Sequence, residues 1–373
     1  MKIIYQNIIL LLIFSVIAGC IKEPVAPEND SKIDLMNNYA IILCEGLLGY
    51  NNASITYFNF ENGNTIQKIF SHINHFALGD IANDFVSDDN YFYFVISNSK
   101  VIYKIDKASL KLISKLTFLG ENFPRKMIID ENEIGFVSDA YSSKVYKINL
   151  KDMSILDEVT VGPQPEGLVV DSKNIYIVNS GWGDINKKAE NASTISIVDK
   201  QTMKLETFFK TGTNPVEIIR DPLQHYIYVL YYHLPSQKDS LGGIIQYEAE
   251  TFTKMKEWKG DYSNMKLSQT GDSIYILSGG YQQKNNINAS SIQIIDTKTN
   301  QVEKILQNDN LNEIWYNFQI DFIANQIWIA NAKNFQTEGE IIIYDIKESG
   351  KPQLTKSLKT GINPNIIYIY RKN

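Results

Sequence analysis

The sequence predicts an all-β fold: a seven-bladed β-propeller of four-stranded antiparallel blades, closed by a C-terminal strand that completes the first blade. Three observations carry this. A short alternating segment ending on a polar residue occurs seven times, at 55–59, 102–106, 145–149, 195–199, 244–248, 292–296 and 341–345. Its last residues stand 47, 43, 50, 49, 48 and 49 apart, and a near-constant period of this length built from strand-like pieces marks a propeller. A second segment, rich in β-branched and aromatic residues, precedes every copy, at 40–45, 92–97, 134–139, 175–180, 227–232, 274–279 and 327–332. No run of 3.6-residue apolar periodicity appears outside the leader, which excludes a solenoid of helices.

Taken in order, the chain opens with Lys2 and an apolar run over 8–17. About ten apolar residues are too few to span a bilayer and fit a signal-peptide core, so 1–19 is predicted to be a leader. The run ends Val16-Ile17-Ala18-Gly19-Cys20, which resembles the bacterial lipoprotein box. That resemblance implies acylation (palmitate-type) of Cys20 and attachment to a membrane. Residues 20–38 combine the lipidated cysteine with Pro24, Pro27, Glu23, Glu28 and Asp30, the composition of a flexible tether. The propeller is predicted over 39–373. It begins with a second-type strand, so its first blade lacks an innermost strand. The end of the chain, Asn363-Pro364-Asn365-Ile366 onward, matches Asn214-Pro215 to Asp221. The C-terminus is therefore expected to supply the missing strand and remove an open sheet edge. A fourth segment closes each unit, as at 204–211 and 254–259.

Net charge is −6. An acidic balance with no basic run argues against nucleic acid as a partner. Cys20 and Cys44 are the two cysteines, and Cys44 falls inside a predicted strand as a small buried residue. Of the four histidines only His72 and His75 are close in sequence. They are read as lying in a loop between blades, without the three or four ligands zinc requires. No nucleophile elbow or phosphate loop occurs. No catalytic residue, metal site or cofactor is predicted. The carboxylates Asp84, Glu166 and Glu217 are expected to neutralise Arg125 and Lys126 across the channel mouth. Asn-Ala-Ser occurs three times just before a third strand and reads as turn chemistry.

Strand direction alternates within a blade, so the loops from second to third strand share one face with the loops that enter the next blade. The start-to-start separations of those two strands are 15, 10, 11, 20, 17, 18 and 14 residues. Strand length is constant, so the variation is all loop, and insertions on one face mark the binding face. The candidate ligand-binding residues on that face are Tyr50, Asn52, Tyr141, Trp182, Tyr281 and Phe335. The loops between blades add Asn83, Arg125, Glu166, Glu217, Tyr262, Asn264, Trp315 and Asn317. Aromatic rings interleaved with amide and charged groups suit a planar or amphipathic ligand or a protein surface.

The repeat Ile175-Tyr176-Ile177-Val178-Asn179, then 195–199 and Thr211-Gly212-Thr213-Asn214-Pro215, resembles the YVTN-repeat, YncE-like seven-bladed propellers over 39–373. Only Asn179 and Asn331 keep the asparagine of that motif. The stretch Leu43-Cys44-Glu45-Gly46 through Asn52-Ala53-Ser54 behind a lipoprotein box is similar to a narrower group, the BtuG-like surface lipoproteins of Bacteroidetes-like bacteria. One branch of that group captures vitamin B12 for an outer-membrane transporter. The resemblance implies a lipid-anchored outer-membrane protein, facing the surface or the periplasm. It would hold a corrinoid such as cobalamin for a TonB-dependent transporter. It assigns no ligand residues, so the candidate site rests on loop geometry. The alternatives are a protein-interaction scaffold of the cell envelope and a propeller enzyme of lyase or lactonase type.

Overall fold

The structure, a computed structural model, describes residues 38–234, 236–237, 241–279, 290–347 and 351–372. The leader, Cys20, the tether through residue 37, and Tyr281 lie outside them. Seven four-stranded antiparallel sheets form the ring. The inner strands are Ala82–Ser87, Pro124–Ile129, Pro165–Val170, Pro215–Arg220, Tyr262–Leu267, Ile314–Asp321 and Pro364–Arg371. The last of these belongs to blade one. It pairs with Asn38–Cys44 in the register Asn38↔Arg371 to Cys44↔Pro364, so the C-terminal strand closes the ring as the sequence predicts.

The polar residue that ends six of the seven alternating segments sets a turn. The side chains of Asn59, Asp106, Asn149, Asp199, Glu248 and Asp296 each accept a backbone N–H two or three residues on. A short acceptor there fixes the bend into the outer strand, which is why the repeat can be anchored on it. A second device sits where the chain re-enters the centre. Ile81, Gln164, Asn214 and Asn363 adopt φ of +56°, +46°, +45° and +55°. Each turns its carbonyl to accept the N–H just past the second strand, from Ser97, Ser180, Tyr232 and Glu45 at 2.7–3.1 Å. Asparagine tolerates this conformation. The proline that follows in three of the four cases lacks an N–H, which an inner edge strand can spare.

Apolar faces of neighbouring blades make the core. Tyr93, Val95 and Ile102 of blade two pack with Met127, Val137 and Tyr146 of blade three. Ala40, Ile42, Cys44 and Phe58 of blade one pack with Trp328, Ala330, Ile341 and Ile343 of blade seven. Cys44 is free and fully buried. Blade one departs from the pattern. Its outer strand is only Thr65–Ile66, and a short helix, Ile69–Asn74, follows with Ile69 and Phe70 buried. His72 lies on that helix and His75 is its C-cap, which corrects their placement in an irregular loop. Among the described residues no helix is long and apolar enough to cross a membrane.

Candidate functional site

Every inner strand carries a β-bulge at the end where it enters the ring. In five blades one residue is skipped by the ladder: Asn83, Val216, Ser263, Tyr316 and Asn365. In blades three and four the pairs Arg125–Lys126 and Glu166–Gly167 stand opposite a single partner residue. A bulge frees its extra residue from pairing and re-aims the side chain. Bulges at this level thus free Asn83, Arg125, Glu166, Tyr316 and Asn365 at the channel mouth, whereas Val216 still packs against the core between blades five and six. This corrects the expectation that Asn83, Arg125, Glu166, Glu217, Asn264 and Asn317 belong to loops. Gly167 is needed there, because a Cβ would come within 3.1 Å of the Glu217 Cα and the Ile218 amide of the next inner strand.

Arg125 ties three blades together. Its Nε donates to Glu166 Oε2 at 2.9 Å, its Nη2 stands 2.9 Å from the same oxygen in an ion pair, and its Nη1 donates to Asn83 Oδ1 at 2.8 Å. Asn83 in turn donates to Ser97 Oγ at 2.6 Å. Lys126 reaches the Asn83 carbonyl at 3.2 Å and Asp84 at 3.4 Å. The Arg125 side chain is 23% exposed and Glu166 6%. Burial works against the Arg125 charge, and Glu166 more than offsets it. Across the ring Glu45 accepts from Tyr316 Oη at 2.9 Å and from Asn365 Nδ2 at 2.5 Å. Burial pushes the Glu45 carboxyl up, against these hydrogen bonds and the Arg125 charge. Burial and Glu45 hold the Tyr316 hydroxyl far above the usual phenol range. Tyr232 donates to the Ser263 carbonyl at 2.9 Å.

An aromatic platform borders this mouth over blades three and four. Phe123 and Tyr141 stack with centroids 4.8 Å apart, and Trp182 meets Tyr141 edge-on at 5.6 Å. Arg125 lies over the Phe123 ring at 5.7 Å. Trp182 Nε1 donates to Glu166 Oε1 at 2.9 Å, so the platform and the charged pair are one assembly. Gly181, Trp182 and Gly183 all have positive φ (61°, 49°, 61°). A left-handed tryptophan costs of order 1–2 kcal/mol, and its two glycine neighbours make the turn feasible. Asp184 then bridges to the next blade, accepting from the Ser236 amide and from Lys187. Those bonds, with that of the Ser236 hydroxyl, hold its carboxyl down to about 2.

The sequence-predicted residues separate into groups. Asn83, Arg125, Tyr141, Glu166 and Trp182 converge. Asn317 donates to Asn365 at 2.8 Å and so supports Glu45 from behind. Phe335 packs edge-on against Tyr316 at 5.1 Å. Burial, with the neighbouring Glu217 charge adding to it, pushes the Tyr232 phenol up, and Glu217 lies 3.9 Å from Lys266. Asn264 is half-buried. Tyr50 is 71% exposed on the first loop, whose turn Asn52 locks by accepting the Leu47 amide at 2.7 Å. Tyr262 and Trp315 are spent on packing, buried in the cores between blades. Sequence reading missed Glu45, Tyr232, Tyr316 and Asn365 as mouth residues. Aligning the inner strands on Ala82, Trp315 and Pro364 places Tyr316 and Asn365 at the position of Asn83.

By sequence, no family model and no curated protein matches the chain. By structure it is similar to a periplasmic gluconolactonase of Pseudomonas aeruginosa. Identity there is 13%, over 89% of this chain and 99% of that one, with a TM-score of 0.64. A putative 6-phosphogluconolactonase from Bacteroides uniformis aligns at 13% identity over 90% and 100%, with a TM-score of 0.63. A quinonprotein alcohol dehydrogenase-like protein from Bacteroides thetaiotaomicron aligns at 12% over 90% and 78%, with a TM-score of 0.65. At such identities the likeness carries the fold alone: this chain is a seven-bladed β-propeller.

Proposed function

We propose that the mouth face captures a ligand for a lipid-anchored protein of the cell envelope, exported by the leader 1–19 and held by Cys20. The ligand is a corrinoid-class nutrient passed to a TonB-dependent outer-membrane transporter. The observation that carries the reading is the convergence of the bulge ring with the platform of Phe123, Tyr141 and Trp182. Tyr141 is 50% exposed, so one ring face is open to a planar ligand, and Arg125 donates hydrogen bonds to Glu166 and Asn83 from two of its five N–H groups. Around the mouth, Leu48, Tyr50, Leu119, Ile185, Leu241 and Leu311 stand exposed on loops of the same face. Singly exposed apolar residues are ordinary, but such a fringe on one face suits a protein partner.

Calorimetric titration of the chain with cobalamin and with cobinamide tests this. Micromolar binding is expected, weakened at least tenfold (about 1.4 kcal/mol) by Tyr141→Ala or Trp182→Ala. Leu223→Ala, on the opposite face, should leave it unchanged. No heat with either corrinoid removes the corrinoid reading. Binding lost only through the opposite face removes the mouth as the site.

A second reading, hydrolysis of a sugar lactone, draws on the Arg125–Glu166 pair, whose charge also acts on Glu45 across the mouth, and on the two lactonase-like neighbours. Turnover of glucono-lactone that Glu166→Gln abolishes would favour it. A face that binds a protein but neither probe would favour the scaffold reading.

A further inference from the structure

The inner strands carry five cations, Arg125, Lys126, Arg220, Lys266 and Arg371, and each has a carboxylate partner. Arg125 pairs with Glu166 at 2.9 Å, Lys126 with Asp84 at 3.4 Å and Lys266 with Glu217 at 3.9 Å. Arg220 and Arg371, at the far ends of their strands, pair with Asp171 and Asp321. Glu45 adds a carboxylate at the mouth that only the neutral donors Tyr316 and Asn365 hold. An anion entering from the mouth face therefore meets carboxylates and cations that are already paired. In a partly buried mouth that balance weighs more than it would in water.

Glu166 sets the charge at the centre of this arrangement. Its Oε2 accepts from Arg125 Nε and its Oε1 from Trp182 Nε1, both at 2.9 Å. Only a carboxylate serves both donors, because each of its oxygens accepts. A glutamine would turn its NH2 towards one of them. Paired in this way, Arg125 keeps N–H groups to offer, since its hydrogen bonds to Glu166 and Asn83 engage two of five. It has no uncompensated charge to offer with them. Beside it lies the open face of Tyr141.

We infer, on the reading of this face as the ligand site, that the mouth takes a flat ligand fringed with uncharged acceptors, amide or carbonyl oxygens, and refuses an anionic one, and that Glu166 determines this specificity. A neutral oxygen can accept an N–H of Arg125 and leave the ion pair intact. A carboxylate or phosphate would have to draw the guanidinium away from Glu166. That would leave Glu166, 6% exposed, as an unpaired buried charge next to a like charge, the costly arrangement for any ion pair.

Calorimetry on the full chain tests this with two probes. The first is inorganic phosphate at constant ionic strength. The parent should show no saturable binding up to about 10 mM, whereas Trp182→Phe/Glu166→Gln, whose amide faces no indole N–H, should bind with a Kd of about 1 mM or tighter. Adding Arg125→Ala to that variant should abolish the gain. The second probe compares cobinamide, whose side chains end in amides, with cobyrinic acid, in which carboxylates replace them. The parent should prefer cobinamide at least about tenfold, and the double variant should narrow the ratio. Phosphate binding by the parent that Arg125→Ala removes would overturn the inference. So would a double variant that melts cooperatively yet still refuses phosphate, or a parent that binds the two corrinoids equally. If the double variant does not fold, the corrinoid comparison in the parent decides. No heat with either corrinoid, alongside the expected phosphate results, would remove the corrinoid reading and leave the charge selection standing.

Discussion

Glu45 follows the second strand of blade one, and both its carboxylate oxygens are taken by neutral donors, Tyr316 and Asn365. Burial holds its pKa above the ordinary 4.5. The folded chain therefore binds that proton more tightly than the unfolded chain. The resulting stabilisation is complete below about 4.5 and is lost as pH rises through the folded value. Glu45→Gln removes the titration. Its melting temperature should exceed the parent's near neutral pH, and the gap should close towards pH 4. A gap that does not change with pH would contradict the assignment. Glu45 could not be picked out in the sequence, because its importance comes from two partners more than 270 residues away. Trp182 was easier to see, since an aromatic between two glycines in the longest loop has no packing reason to be there.

At the level of the strand, the bulge explains which residues the mouth receives. The inner strands were legible from Gln164-Pro165 and Asn214-Pro215. The bulge that follows was not, because the extra residue leaves no mark in an alternating pattern that short. Its consequence appears in Arg125, which joins the inner strands of blades two, three and four. Replacing it by alanine strands a nearly buried Glu166. The cost should be about 1.5–3 kcal/mol, the range for a lost charged hydrogen bond. It stays below the full buried-pair range because the guanidinium keeps some contact with water. Arg125→Ala/Glu166→Ala should regain part of that loss, since it removes the orphaned charge. Urea unfolding of the single and double variants measures both. A double variant less stable than Arg125→Ala by more than ~1 kcal/mol would show that Glu166 does other structural work.

For the whole molecule, the period alone gave seven blades, because the turn-setting residues that end each third strand recur at nearly constant spacing. The phase of the two ends gave the closure. What the period could not give is blade one's shortened outer strand and the helix Ile69–Asn74. Those arise where the repeat is interrupted and have no counterpart to align with. The mouth depends on the closure as well, since Asn365, which holds Glu45, comes from the last strand. The most direct measurement is thermal unfolding of the chain truncated after residue 362. Closure by the final strand predicts loss of the cooperative transition as a whole, because blade one would lose its innermost strand and the ring its seam. A truncated chain that melts cooperatively at the parent's temperature would contradict it.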